Sequence, residues 1–210
     1  MSKVKTIWVT PNGEELVAYM ARVSNPANQD NPETAPKLLR YLVRNKHWSP
    51  FEMVSACVEI ETTRDIARQI LRHRSFSFQE FSQRYAQANM FDTREARLQD
   101  DKNRQNSIPV QDRELQAAWQ AQQDRTLQTA IESYQWALDN GIAKEQARAV
   151  LPEGLTMSRM YMTGNLRSWL HYLQVRLDPA TQKEHREVAE KIKTALSQDF
   201  PNILSIVNEQ

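Results

Sequence analysis

Val54-Ser55-Ala56-Cys57-Val58-Glu59-Ile60-Glu61 alternates apolar and polar side chains. A period of two places one set of side chains on each face of a pleated ribbon, so this stretch is predicted to be a half-buried strand. It runs directly into Thr62-Thr63-Arg64-Asp65-Ile66-Ala67-Arg68-Gln69-Ile70-Leu71-Arg72-His73-Arg74. There Ile66 and Ile70, with Ala67 and Leu71, recur at helical spacing, and either threonine can cap the first turn. The period changes from two to 3.6 with no turn residue between, which predicts a strand feeding a helix that ends near Arg74.

Outward from that pair the same two periods alternate irregularly. Upstream, Lys5–Thr10 reads as a short strand and Pro11-Asn12-Gly13 as a turn. Glu14–Val23 and Ala35–Lys46 read as helices around a polar loop, and Ser49-Pro50 holds the next segment out of helix. Downstream, Phe76–Tyr85 reads as an irregular segment and Phe91–Pro109 as a polar surface excursion. Gln111–Asp139 reads as a long helix with Leu115, Trp119, Leu127, Ile131, Tyr134 and Leu138 among its apolar positions, and Gly141 ends it. Lys144–Leu151 is a short helix stopped by Pro152, and Thr156–Thr163 a strand. Asn165 caps a helix whose core side is Leu166, Leu170, Leu173 and Leu177, and the last helix spans about Pro179–Gln198. Helices dominate and the strands are scattered. The expected class is therefore α+β, a helix-rich single domain over residues 1–210 with a small mixed or antiparallel sheet.

Composition narrows the function. Twenty-seven basic and 26 acidic side chains leave a net charge of +1, without the basic excess of a dedicated nucleic-acid binder. Cys57 is the only cysteine, so no intramolecular disulfide can form and a reducing compartment fits. There is no signal-like N-terminus and no apolar run of membrane-spanning length, so a cytoplasmic protein without a membrane partner is expected. The four glycines are too scattered to write either familiar glycine-rich phosphate cradle. A nucleotide here must be held by arginines or helix N-termini, in a site unlike the dinucleotide-binding fold. The histidines show no metal-ligand spacing, so no metal is expected.

Two segments concentrate chemistry. Between Thr62 and Ala86 lie Arg64, Arg68, Arg72, Arg74 and Arg84 against Asp65 and Glu80. Arg64, Arg68 and Arg72 would share one helical stripe, and Phe76, Phe78 and Phe81 follow. Most basic helix faces are only solvated, but arginines beside aromatics and serines suit a flat anionic ligand. On the helix opened by Asn165, Arg167, His171 and Gln174 form one stripe, and Asn165, Trp169, Tyr172 and Arg176 another. That is more polar and aromatic chemistry than a solvated face needs. Cys57 lies mid-strand with no activating partner, so it reads as structural.

Arg72-His73-Arg74, then Ser77, Ser82 and Arg84, resembles the signature of flavin-dependent thymidylate synthases at all six fixed positions. Ala21-Arg22-Val23-Ser24, His47-Trp48-Ser49-Pro50-Phe51-Glu52, Ala147-Arg148-Ala149-Val150-Leu151-Pro152 and Asn165-Leu166-Arg167 are similar to the family's flanking motifs. Met53 stands where the family's loop usually ends in histidine. The resemblance covers about residues 20–200.

It implies reductive methylation of dUMP to dTMP, with FAD as cofactor and 5,10-methylenetetrahydrofolate and NADPH as co-substrates, in a homotetramer whose active sites are shared between subunits. It implies FAD contacts from Ser49, Arg72, His73, Arg74, Glu80, Asn165, Leu166, Arg167 and His171. It implies a dUMP pocket of Gln69, Arg72, Glu80, Phe81, Ser82, Gln83, Arg84, Arg148 and Arg176. Arg176, near the pyrimidine, is the expected catalytic residue. Thymidylate synthases that work without flavin need a cysteine nucleophile, and Cys57 is in the wrong context for one. The competing reading is a non-catalytic nucleotide or RNA binder working through the Arg72–Arg84 patch.

Overall fold

The computed structural model describes residues 2–208. Four strands form one antiparallel sheet in the order β1-β2-β6-β3, namely β1 (Lys3–Val9), β2 (Ser55–Thr63), β6 (Met157–Asn165) and β3 (Ser77–Glu80). The alternating stretch that opens the sequence reading is the central β2. Val58 and Ile60 are fully buried on it, and it pairs with β6 from Ser55↔Asn165 to Thr63↔Met157. The helix-rich chain with a small antiparallel sheet agrees with the expected class.

Helices cover the sheet: α1 (Gly13–Ala21), α2 (Ala35–Arg44), α3 (Arg64–Ile70), α6 (Leu166–Arg176), α7 (Lys183–Leu196) and the short α8 (Pro201–Leu204). On α6, Leu166, Leu170 and Leu173 are fully buried as expected, each contributing about 1.5–3 kcal/mol of transfer free energy. Trp169 and Tyr172 are fully buried as well, which differs from the polar stripe assigned to them. The reason is packing on both sides of α6: Phe76 stacks edge-on against Trp169 at 4.6 Å, and Trp169 Nε1 donates to the Gly164 carbonyl at 3.1 Å. Gly164 has no side chain because a Cβ there would lie 2.5 Å from the Phe76 ring.

Three further segments depart from the sequence reading. The helix after β2 stops at Ile70 rather than Arg74, so Arg72 and Arg74 lie past its end. Thr63 occupies the N-cap position, but its hydroxyl donates to Asp65 Oδ1 at 2.6 Å instead of capping the backbone. Ser77–Glu80, read as irregular, pairs with β6, and Phe76 and Phe78 pack into or against the core. The helix expected from about Pro179 begins at Lys183, and it is followed by the short α8 rather than being the last.

The polar excursion is also built. It contains the hairpin β4 (Arg97–Gln99) and β5 (Ser107–Pro109) and lies along α4 (Arg113–Asp139). Two glutamines on α4 fasten it. Gln123 accepts from Arg94 N–H and donates to the Arg94 carbonyl, both at 2.8 Å, and Gln116 does the same to Ala96 at 2.8 and 2.9 Å. Asp112 caps α4, Gly141 leaves it at φ 74°, and α5 (Lys144–Ala147) follows. Leu115, Trp119 and Ile131 are exposed rather than core-facing, because α4 packs mainly through Gln123, Ala130, Tyr134 and Ala137.

Candidate active site

β2 and β6 are antiparallel, so α3 and α6 leave opposite ends of the strand pair and run back along it. Their C-terminal ends meet. Arg176, the last residue of α6, donates from Nε to His73 Nε2 at 2.9 Å, and His73 lies three residues past α3. Accepting there leaves the proton of neutral His73 on Nδ1. Burial, then the positive charge of Arg176 and the field of His171, push the His73 pKa down to about 4, so the ring stays a neutral acceptor. The Tyr172 ring supports it edge-on at 4.8 Å. Two residues 103 positions apart thus orient each other.

α6 separates two cavities. The first, about 450 Å³, lies at its N-terminal half. Asn165 caps the helix by accepting from Ser168 N–H at 2.9 Å, and Arg167, His171 and Gln174 line the cavity as the sequence stripe predicted. Trp48, Glu52 and Ser75 complete the wall. Glu52 accepts a hydrogen bond from Arg167 and so fixes that guanidinium at the rim. Leu166 has its side chain in the core. Ser49 is exposed and opens the 3-10 turn that carries Trp48 and Glu52 to the wall.

The second cavity, about 680 Å³, lies at the other end of α6. Gln69 and Arg176, both expected in the substrate pocket, line it together, and Gln174 borders both cavities. Gln105 from the hairpin loop, Thr181 and Gln182 also contribute. Sequence reasoning did not assign a role to Trp48, Gln105, Thr181 or His185. Of these only Trp48 carried a signal, through the family-like motif His47–Glu52 around it.

The remaining expected residues sit elsewhere. Glu80 on β3 accepts from Ser158 Oγ at 2.6 Å and lies 3.5 Å from Arg64. Arg68 pairs with Glu153, so two members of the predicted arginine stripe serve ordinary ion pairs. Arg72 and Arg74 are exposed, and Phe81 and Ser82 are half-buried. Arg84 reaches Glu145 at 3.4 Å while Arg148 Nε donates to the Glu145 carbonyl at 3.3 Å, so these two arginines gather on one turn. Gln83 is buried, and its amide nitrogen has no partner among the described residues. Cys57 is buried in β2 opposite Thr163; burial raises its pKa despite a hydrogen bond with Thr163 that lowers it. Among the described residues no group of three His, Cys, Asp or Glu side chains is arranged to hold a metal, and no helix is long and apolar enough to cross a membrane.

Residues 5–202 match the family model described as thymidylate synthase complementing protein. The chain is 51% identical over 190 residues to a flavin-dependent thymidylate synthase of Synechocystis sp., covering 90% of this chain and 87% of that one. It is 48% identical over 193 residues to a probable flavin-dependent thymidylate synthase of Paramecium bursaria Chlorella virus 1, covering 90% and 88%. Its fold matches a UMP/dUMP methylase, PolB from Streptomyces cacaoi bound with 5-Br dUMP, at a TM-score of 0.88 and 29% identity over 100% of this chain and 95% of that one. The chain therefore belongs to the flavin-dependent thymidylate synthase family.

Proposed function

We propose that the chain methylates dUMP to dTMP, taking carbon from 5,10-methylenetetrahydrofolate and electrons from NADPH through FAD, in a homotetramer whose active sites are shared between subunits. The observation that carries this reading is the placement of Arg176. It is clamped side-on by a neutral His73 and lines the same cavity as Gln69, with the first cavity along the N-terminal half of the same helix.

The first cavity fits a flavin ring system. Its volume lies in the range of small-molecule sites. Its wall combines the N-terminal end of α6, the Arg167 guanidinium and the Trp48 ring, which suit a planar group with a diphosphate tail. Asn165, Arg167 and His171 would hold it. When bound, it supplies hydride that no side chain can supply.

The chain's own residues then have electrostatic and positioning roles. Arg176 spends Nε on His73 and keeps its two terminal nitrogens for the substrate, with no protein partner among the described residues. A guanidinium held this way can stabilise negative charge developing on the pyrimidine, as preorganised donors do at an oxyanion. Arg84 and Arg148 suit the phosphate through charge-assisted hydrogen bonds. The unpaired amide of buried Gln83 is a donor that a bound nucleotide would satisfy. Cys57, buried and with a raised pKa, is unsuited to attack the ring.

The exposure of Arg72, Arg74 and Arg84 outside both cavities supports a site completed by a neighbouring subunit. The non-catalytic RNA-binding reading is not favoured, since Phe76 and Phe78 are committed to the core rather than free to stack on bases. The test is dUMP-dependent NADPH oxidation with added FAD and methylenetetrahydrofolate, read alongside dTMP formation. Yellow protein that forms dTMP is expected. Protein that takes up no FAD and forms no dTMP overturns the reading.

A further inference from the structure

Behind the Gln69–Arg176 cavity runs a continuous series of hydrogen bonds whose direction is fixed at one end. Glu184 is that end. Burial alone would raise its pKa, but hydrogen bonds from Arg97, from its own backbone N–H and from Gln182, with the charge of Arg97, hold it below the ordinary value. A carboxylate only accepts, so Gln182 must present its nitrogen to Glu184 Oε2, at 2.9 Å. The oxygen of Gln182 then faces Gln69 and accepts from Gln69 Nε2 at 2.7 Å. The oxygen of Gln69 is left for His185, whose Nδ1 lies 3.2 Å away and must donate. That leaves His185 Nε2 as acceptor for the Tyr172 hydroxyl at 3.1 Å. Each amide orientation and the histidine tautomer follow from the charge of Glu184, with no free choice along the way.

The consequence lies at the cavity wall. His185 is fully buried and Gln182 lines the cavity. Turning Gln69 Oε1 inward onto His185 makes Nε2 the cavity-side atom. One of its N–H bonds goes to Gln182, and the second has no partner among the described residues. Burial, then the positive charge of Arg176 and the neighbouring His73, push the His185 pKa down to about 3, so the ring remains a single donor and a single acceptor through the neutral range.

We propose that His185 is a positioning residue that holds the Gln69 amide nitrogen toward the cavity, so that the site selects a pyrimidine with a carbonyl oxygen over one with an exocyclic amine. A uracil ring offers O4 as an acceptor, whereas cytosine offers N4 as a donor at the same place. An N–H facing the first makes a hydrogen bond, and facing the second opposes two donors. This inference rests on the pyrimidine-nucleotide reading of the cavity.

Two variants of matched chemistry test it. His185→Asn places an amide N–H near the position of Nδ1 and can still donate to Gln69. His185→Gln carries the same amide out to the position of Nε2, reaches Tyr172 and leaves Gln69 Oε1 without its donor. The measurement is calorimetric binding of dUMP and of dCMP to the FAD-loaded protein, read as the ratio of the two affinities. The Asn variant is expected to keep the wild-type ratio, and the Gln variant to lower it roughly tenfold, the loss of one hydrogen bond to a buried group.

Equal ratios in wild type and both variants overturn the proposal. So does an equal fall in both variants accompanied by an equal loss of thermal stability, which marks a merely structural residue. Should neither variant fold, Gln69→Glu removes the donor directly and is expected to move the ratio toward dCMP; an unchanged ratio overturns the proposal. Wild-type protein that binds no dUMP at all refutes the function reading instead, a separate outcome.

Discussion

The two arginine-bearing regions of this molecule behave differently. The Arg72–Arg84 segment carries the fixed-spacing signature, yet Arg72, Arg74 and Arg84 are exposed and line neither cavity. The α6 helix carries a looser pattern, yet Arg167 and Arg176 line one cavity each and are held by Glu52 and His73. A signature marks which side chains a ligand needs. It does not mark which of them a single chain preorganises. The α6 arginines have lost much of their freedom to protein partners, and the signature arginines keep theirs for a ligand or a neighbouring subunit.

The sharpest way to break that comparison is Arg176→Ala. The rate of dTMP formation should fall at least ~100-fold, as when a preorganised donor is removed, while FAD binding and folding persist. Turnover within a few-fold of wild type would take Arg176 out of the chemistry.

Acid titration of stability is the next largest effect. His73 and His185 have folded pKa values near 4 and 3, below the 6.5 of a free histidine. Between those values the unfolded chain binds protons that the folded chain refuses. Stability is therefore complete above about pH 6.5 and falls as the pH drops toward 4, by up to about 1.4 kcal/mol per unit for buried His185 and less for half-buried His73. Denaturant melts at several pH values measure the slope, and His185→Asn should flatten it. A wild-type slope of zero between pH 6 and 5 would contradict the burial of both rings.

Arg84→Ala probes the other region. Its side chain is 62% exposed, with Glu145 its one ion-pair partner among the described residues, so stability should change by less than about 0.5 kcal/mol. The KM for dUMP should rise roughly tenfold with kcat nearly unchanged, the signature of a lost binding contact. An equal fall in kcat would move Arg84 into the same class as Arg176.

The smallest effect is expected for Cys57→Ala. Turnover should stay within about twofold, and stability within about 1 kcal/mol. Loss of turnover in a well-folded variant would restore a cysteine nucleophile.

Much of the frame was legible because it depends on local period and caps. The alternation of Val54–Glu61 became β2, Asn165 became the cap of α6, and Gly141 became the exit from α4. Arg167, His171 and Gln174 were legible as a stripe, since three residues on one helix face stay neighbours wherever the helix docks. What stayed hidden depends on contacts between distant segments. Ser77–Glu80 is four residues long, and only its pairing with β6 makes it a strand. Trp169 and Tyr172 looked like site residues because helical spacing does not say how many faces of α6 are covered. The excursion looked solvated because its attachments are glutamine amides rather than apolar side chains.

The sequence by itself determined the family, the order of most elements and the inventory of side chains that hold anions and flat rings. These rest on residue identity and on spacing along one chain. Only the tertiary structure decided how those side chains act on one another. It joined His73 to Arg176 across 103 positions and aligned Glu184, Gln182, Gln69 and His185 into one direction of hydrogen bonding. The physical reason is that a donor or a tautomer is fixed by its partner, and partners brought together by an antiparallel strand pair have no fixed separation in sequence.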